Sequence, residues 1–226
     1  MKKILACIGT LTLCLGALQA APVLGPPVGQ CSAASGVTGV PNDLIVPFAT
    51  WSAANFACEQ QDKIYSNFAP GAIPTDATLR LQVQPLGTAD FHTVSFQGNF
   101  LASFTVSYDI AIDMTVAPSP LERILAVSAD ISNPSNTGTP NNVKTLSADG
   151  GGAVSGSIMS LPGNPGTPVL TNVTSMHVQD AYTANGGAVV SISNTFLESN
   201  VPEPVTYAMI GSGLLLLASL RRFRRI

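Results

Sequence analysis

The chain has few charges, few aromatic rings and few side chains with which to do chemistry. Of its 226 residues, 10% are Asp, Glu, Lys or Arg, 6% are aromatic, one is tryptophan and two are histidine. Across residues 21–200 the basic side chains are Lys63, Arg80, Arg123 and Lys144, against twelve acids, a formal charge of −8. A body so acidic, without a basic patch, excludes nucleic-acid binding through the phosphates. The shortage of aromatics leaves little from which to build a stacking platform for sugars, and Trp51 is expected in the core. No Gly-x-Ser-x-Gly elbow marks a nucleophile. No Cys-x-x-Cys with a nearby histidine marks a metal site, and the DGGG at 149–152 lacks the alternating acids of a calcium loop. No repeat of fixed period is present. No catalytic residue, metal ligand or cofactor is expected.

The two histidines do not change this. His92, in ADFHTVSFQ, falls on an expected strand, where a lone histidine is ordinarily a surface residue or a satisfied core residue. His177 and Asp180, in HVQD, are three apart and would point to opposite faces of a strand. Asp109 and Asp113 share one polar face and could meet a sugar or calcium, although a solvated face is the ordinary explanation. The sequon at Asn172, Val173 and Thr174 is too short a motif to carry weight.

What the chain does have is organised ends. It opens MKKILACIGTLTLCLGALQA, with Lys2 and Lys3, an apolar run and small residues, the layout of a secretory signal occupying residues 1–20 and cut after Ala20. Cleavage after Ala21 would leave Pro22 at the new first position, and Leu13 before Cys14 is too bulky for a lipoprotein site. The alternative is an uncleaved anchor, for which the run is short. Removing the signal takes away Cys7 and Cys14 and leaves Cys31 and Cys58. In an exported chain the remaining two most simply pair, closing a 28-residue loop worth roughly 3–4 kcal/mol; the alternative is two free buried thiols.

Alternation is clearest in FLASFTVSYDIAIDMTV, residues 100–116, where the even positions are Phe, Ala, Phe, Val, Tyr, Ile, Ile, Met and Val. That predicts an antiparallel strand, or a bent pair, with one face in a core and the other in water. The pattern recurs at Leu79, Leu81 and Val83, at Leu125, Val127, Ala129 and Ile131, and at Val190, Ile192 and Phe196. Breakers at 133–142, 149–152 and 162–168 are expected loops. The expected fold is mostly β, a single antiparallel β-sandwich over residues 21–200. Before Thr75 the pattern changes: APVLGPPVGQ is a stiff extended leader, and FATWSAANFACEQQDKIYSNF is expected to be helical or irregular.

The chain closes VPEPVTYAMIGSGLLLLASLRRFRRI. Pro202 and Pro204 fix their own φ and push Val201 and Glu203 toward extended geometry, which leaves a pre-stiffened peptide. Residues 205–220 carry no charge and as a helix would span about 24 Å, somewhat short of a bilayer core. Arg221, Arg222, Arg224 and Arg225 would hold that end in the cytoplasm. The bland alternative is a plain single-pass anchor with an incidental Pro-Glu-Pro.

The ordered triplet of motif, short span and basic cluster resembles the PEP-CTERM sorting signal of exopolysaccharide-producing bacteria, over residues 201–226. The resemblance implies recognition by an exosortase, an integral membrane transpeptidase, during a transient stay in the inner membrane. It further implies processing near Val201, Pro202, Glu203 and Pro204 and delivery to the cell surface or matrix, where exopolysaccharide is a partner to consider. A second resemblance lies in CEQQDKIYSNF: many PEP-CTERM ectodomains look similar there, matching Cys58, Asp62, Lys63, Tyr65, Ser66, Asn67 and Phe68. Their commoner form has a glycine or small residue where this chain has Gln61. The segment is assigned a folding role, as a bridge, a turn and aromatics entering the core. The expected function is that of an exported, non-enzymatic surface or matrix protein. The alternatives are a glycan- or calcium-binding module and a secreted enzyme acting on polysaccharide.

Overall fold

The computed structural model describes residues 28–86, 89–116, 122–132, 138–148 and 155–199. The expected signal segment with Ala20, the motif at Val201, Pro202, Glu203 and Pro204, the span 205–220 and the four terminal arginines lie outside the described residues. So do 149–152 and part of the loop expected at 133–142. Among the described residues no helix is long and apolar enough to cross a membrane.

The strands are, in chain order, β1 (Thr38–Val40), β2 (Asp43–Pro47), β3 (Cys58–Gln60), β4 (Lys63–Ala69), β5 (Thr78–Leu86), β6 (Ala89–Phe100) and β7 (Phe104–Ile112). They continue as β8 (Arg123–Ser132), β9 (Asn141–Ala148), β10 (Ser155–Ser160), β11 (Val169–Val173), β12 (Ser175–Thr183) and β13 (Val189–Ser199). One sheet runs β1-β2-β5-β6-β13-β8-β11 and the other β10-β9-β12-β7-β4-β3, with every strand pair antiparallel. Their inner faces share one apolar core, a β-sandwich-like arrangement.

Period-two alternation drives this. Phe104, Val106, Tyr108, Ile110 and Ile112 are all buried from β7, as the even positions require. The expected long segment is a bent pair: Phe100 ends β6, and the turn at 101–103 separates it from β7. Leu79, Leu81 and Val83 are likewise buried.

Two expected faces are corrected by bulges. β13 pairs Val189 with Phe100 and then Ser191 with Gln97, so β6 sets two residues, Gly98 and Asn99, against the single Val190; Val189 is buried and Val190 is exposed. β8 pairs Ile124 with Glu198 and Ala126 with Leu197, which leaves Leu125 between them; Ile124 is buried and Leu125 only partly so. One inserted residue flips the parity of everything beyond it.

The segment before Thr75 is also more strand-like than expected. Its helix is one turn, α1 (Phe48–Trp51), and β1 to β4 supply the rest. Cys31 and Cys58 form the expected disulfide, with Cα atoms 4.7 Å apart. Trp51 is fully buried, edge-on to Phe48 and Phe68 and tilted against Phe96, and Phe68 stacks on Tyr108 at 5.5 Å.

The β3–β4 hairpin places Gln61 where glycine would fit without strain. Gln60 pairs with Lys63, so Gln61 and Asp62 form a two-residue turn, and Gln61 has φ of 58°. A side chain there costs energy that glycine avoids. Gln61→Gly is expected to stabilise the fold by about 0.5–1 kcal/mol, read as a raised urea midpoint. Among the described residues the substitution gives up a 3.3 Å exposed contact to Asn42.

Candidate functional site

Both lysines of residues 21–200 are fully buried. That is rare, because an ammonium leaves water only when an acid replaces its hydration. Lys63 opens β4 and points inward from one sheet on the same parity as Tyr65. From the other sheet β6 presents His92, in phase with Val94 and Phe96. β13 presents Glu198, in phase with Ile192, Asn194 and Phe196. Asp62 comes from the β3–β4 turn, and Glu122 from the residue before β8.

These five groups form one cluster sealed between the sheets, no member more than 8% exposed. Lys63 Nζ lies 2.7 Å from Asp62 Oδ1 and in direct contact with Glu198 Oε2. Neither approach has hydrogen-bond angles, so attraction here is chiefly charge on charge. His92 Nε2 stands 3.4 Å from Glu198 Oε2 and 4.0 Å from Asp62 Oδ1, and neither ring nitrogen makes a hydrogen bond. The cluster contains three carboxyl groups and one lysine. Burial, then the neighbouring charges of Glu198 and Asp62, push the Glu122 carboxyl up to about 8, and it hydrogen-bonds Asp62. Tyr65, buried alongside, has its phenol pushed well up by desolvation and by Asp62 and Glu198.

Ligand atoms of Asp62, His92 and Glu198 lie within 4.8 Å of one another, close enough to hold a metal ion. The Lys63 ammonium already sits against both carboxylates, so a cation would have to displace it. Sealed from solvent, the cluster can store a proton and neutralise charge, but no substrate reaches it.

The other residues singled out in the sequence are not part of this cluster. His177 and Asp180 do face opposite ways, with Asp180 fully buried and His177 half-buried on the outer face. His177 Nδ1 instead meets Asp109 Oδ1 across β12 and β7 at 2.6 Å, and Asn67 donates to Asp109 Oδ2 at 2.6 Å. Ser147 is the register partner of His177 on the other side. Asp113 is occupied separately, accepting from Thr115 N and Oγ1 at 2.8 and 2.6 Å. The two aspartates therefore serve separate local networks.

His92 was expected on the surface or satisfied in the core; it is in the core and lacks a hydrogen bond. Glu122 and Glu198 were missed altogether. Glu198 had a usable signal, since extending the parity of Ile192 and Phe196 by two points it inward. No family model matches the chain, and no curated protein matches it.

Proposed function

We propose that the chain is an exported, non-enzymatic protein of the cell surface or extracellular matrix, sorted by an exosortase through Val201, Pro202, Glu203 and Pro204. The observation that carries this reading is the order of the last 26 residues: a stiff Pro-Glu-Pro peptide, sixteen uncharged residues and four arginines. In this reading residues 1–20 are a signal peptide removed after Ala20, and residues 21–200 are a single β-sandwich ectodomain. Residues 205–220 form one transmembrane helix whose C-terminal side stays in the cytoplasm, anchored by Arg221, Arg222, Arg224 and Arg225. Glu203 is bound by the processing enzyme and catalyses nothing itself.

Two features of the body support an exported address. A disulfide joins Cys31 and Cys58, a cross-link that persists in oxidising compartments. The clustered ionisable groups at Lys63 and Glu198 are sealed inside and so suit a structural role better than turnover.

The mature protein's C-terminus decides the reading. Mass spectrometry is expected to find a chain that ends near the Pro-Glu-Pro motif and lacks the terminal arginines. Changing Pro202, Glu203 and Pro204 together to alanine is expected to hold an uncut form in the membrane fraction. An intact chain ending at Ile226 and dissolved in cytosol would overturn the proposal.

A further inference from the structure

Lys144 differs from Lys63 in one chemical respect: carboxamides stand beside its carboxylate partner. Lys144 in β9 and Asp180 in β12 are register partners, and Nζ lies 2.9 Å from Asp180 Oδ1. Asn142, two residues along β9, donates to the same Oδ1 at 2.7 Å. Asn194 reaches over from β13 in the opposite sheet and donates to Asp180 Oδ2 at 2.6 Å and to Tyr108 Oη at 2.9 Å. Lys144, Asp180, Asn142, Asn194 and Tyr108 are all fully buried. The carboxamide oxygens of Asn142 and Asn194 have no hydrogen-bond partner.

One carboxylate thus holds a potential nucleophile on one oxygen and a potential leaving nitrogen on the other. Burial is the chief influence on Lys144 and pulls its ammonium below the usual range, which favours the neutral, nucleophilic amine. Tyr108 is held well above its ordinary value, chiefly by burial, so it stays a phenol and keeps the Asn194 amide in place. Amides resist amines because the carboxamide carbon is a weak electrophile and its nitrogen a poor leaving group; holding the groups together out of water around one shared acid–base group lowers that barrier.

We propose that Lys144 and Asn194 become joined by an isopeptide bond between the two sheets, with Asp180 relaying the protons. Asp180 takes a proton from the Lys144 ammonium. The freed Nζ lone pair attacks Asn194 Cγ, forming the new C–N bond. A second Nζ proton passes by way of Asp180 to Nδ2, the Cγ–Nδ2 bond breaks, and nitrogen leaves as ammonia. The products are a secondary amide, ammonia and a neutral Asp180 carboxylic acid, so atoms and charge balance without oxidant or cofactor. Asn142 shares a strand and a face with Lys144, so joining those two would tie no strands together. Asn194 is the partner that cross-links the sandwich.

The test uses the full chain isolated from cells that export it. After reduction and digestion with a protease that cleaves away from lysine, tandem mass spectrometry is expected to find one branched peptide. It should contain both Lys144 and Asn194 and be lighter than the two linear peptides together by one ammonia. Two separate, unmodified peptides from folded protein would overturn the bond. A link from Lys144 to Asn142, or to Asp180 with loss of water, would overturn the choice of Asn194. Asp180→Asn, assayed in the fraction folded by circular dichroism, is expected to lose the branched peptide completely. A branched peptide persisting in that variant would remove Asp180 from the step.

Discussion

Lys63→Met is expected to destabilise the fold by about 3–5 kcal/mol, the penalty for stranding buried charge. Methionine matches the aliphatic stem in volume, so packing changes little and the loss isolates the ammonium. Without it, Asp62 and Glu198 face each other and Glu122 in a largely buried space. Urea unfolding followed by fluorescence is a direct measurement, because Trp51 is the only tryptophan and is fully buried. The double variant Lys63→Met, Glu198→Leu should recover much of the loss, since an apolar replacement for a buried pair is often neutral. A single-variant loss below about 1 kcal/mol would put the cluster in the class of solvated ion pairs.

The fold was legible wherever alternation ran without interruption. β7 alternates cleanly over nine residues, and its inward set follows from parity alone. β5 behaves likewise. Bulges were not legible. Nothing local at Gly98 and Asn99 or at Leu125 announces an extra residue, because a bulge is defined only against the partner strand. The short strands β1 to β4 were hidden by turn-rich sequence, although the disulfide that secures them was foreseen from cysteine count.

The charge cluster failed to show for a different reason. An apolar search along β13 finds Ile192 and Phe196 and passes over Asn194 and Glu198, which occupy the same inward parity. Asp62 and Lys63 were visible as a motif, but their meaning depends on His92 and Glu198, from distant parts of the chain. Only the stacking of β4 against β6 and β13 brings those side chains together. A polar residue in inward phase deserves the same weight as an apolar one, because a buried charge must find its opposite across the sheet.

Glu122 gives the second large effect, and it depends on pH. Its folded carboxyl titrates at about 8, raised by burial and by the charges of Glu198 and Asp62, while Lys63 partly offsets them. In the unfolded chain it titrates near the ordinary carboxyl value of 4.5. Between those values the folded chain carries a proton that the unfolded chain has released. Stability therefore falls as pH rises through this window: the contribution is complete below 4.5 and gone above about 8. At neutral pH the loss is on the order of 3 kcal/mol. Glu122→Gln keeps the shape and removes the titration. It is expected to match the wild type near pH 4.5 and to exceed it increasingly toward pH 8. Subtracting the two urea-midpoint profiles leaves the titration of Glu122 together with its effect on Asp62 and Glu198, the groups it is coupled to. A difference that stayed flat across this range would mean that Glu122 ionises alike in the folded and unfolded chain. The carboxyl would then be reached by water, and the seal around Lys63 would be incomplete.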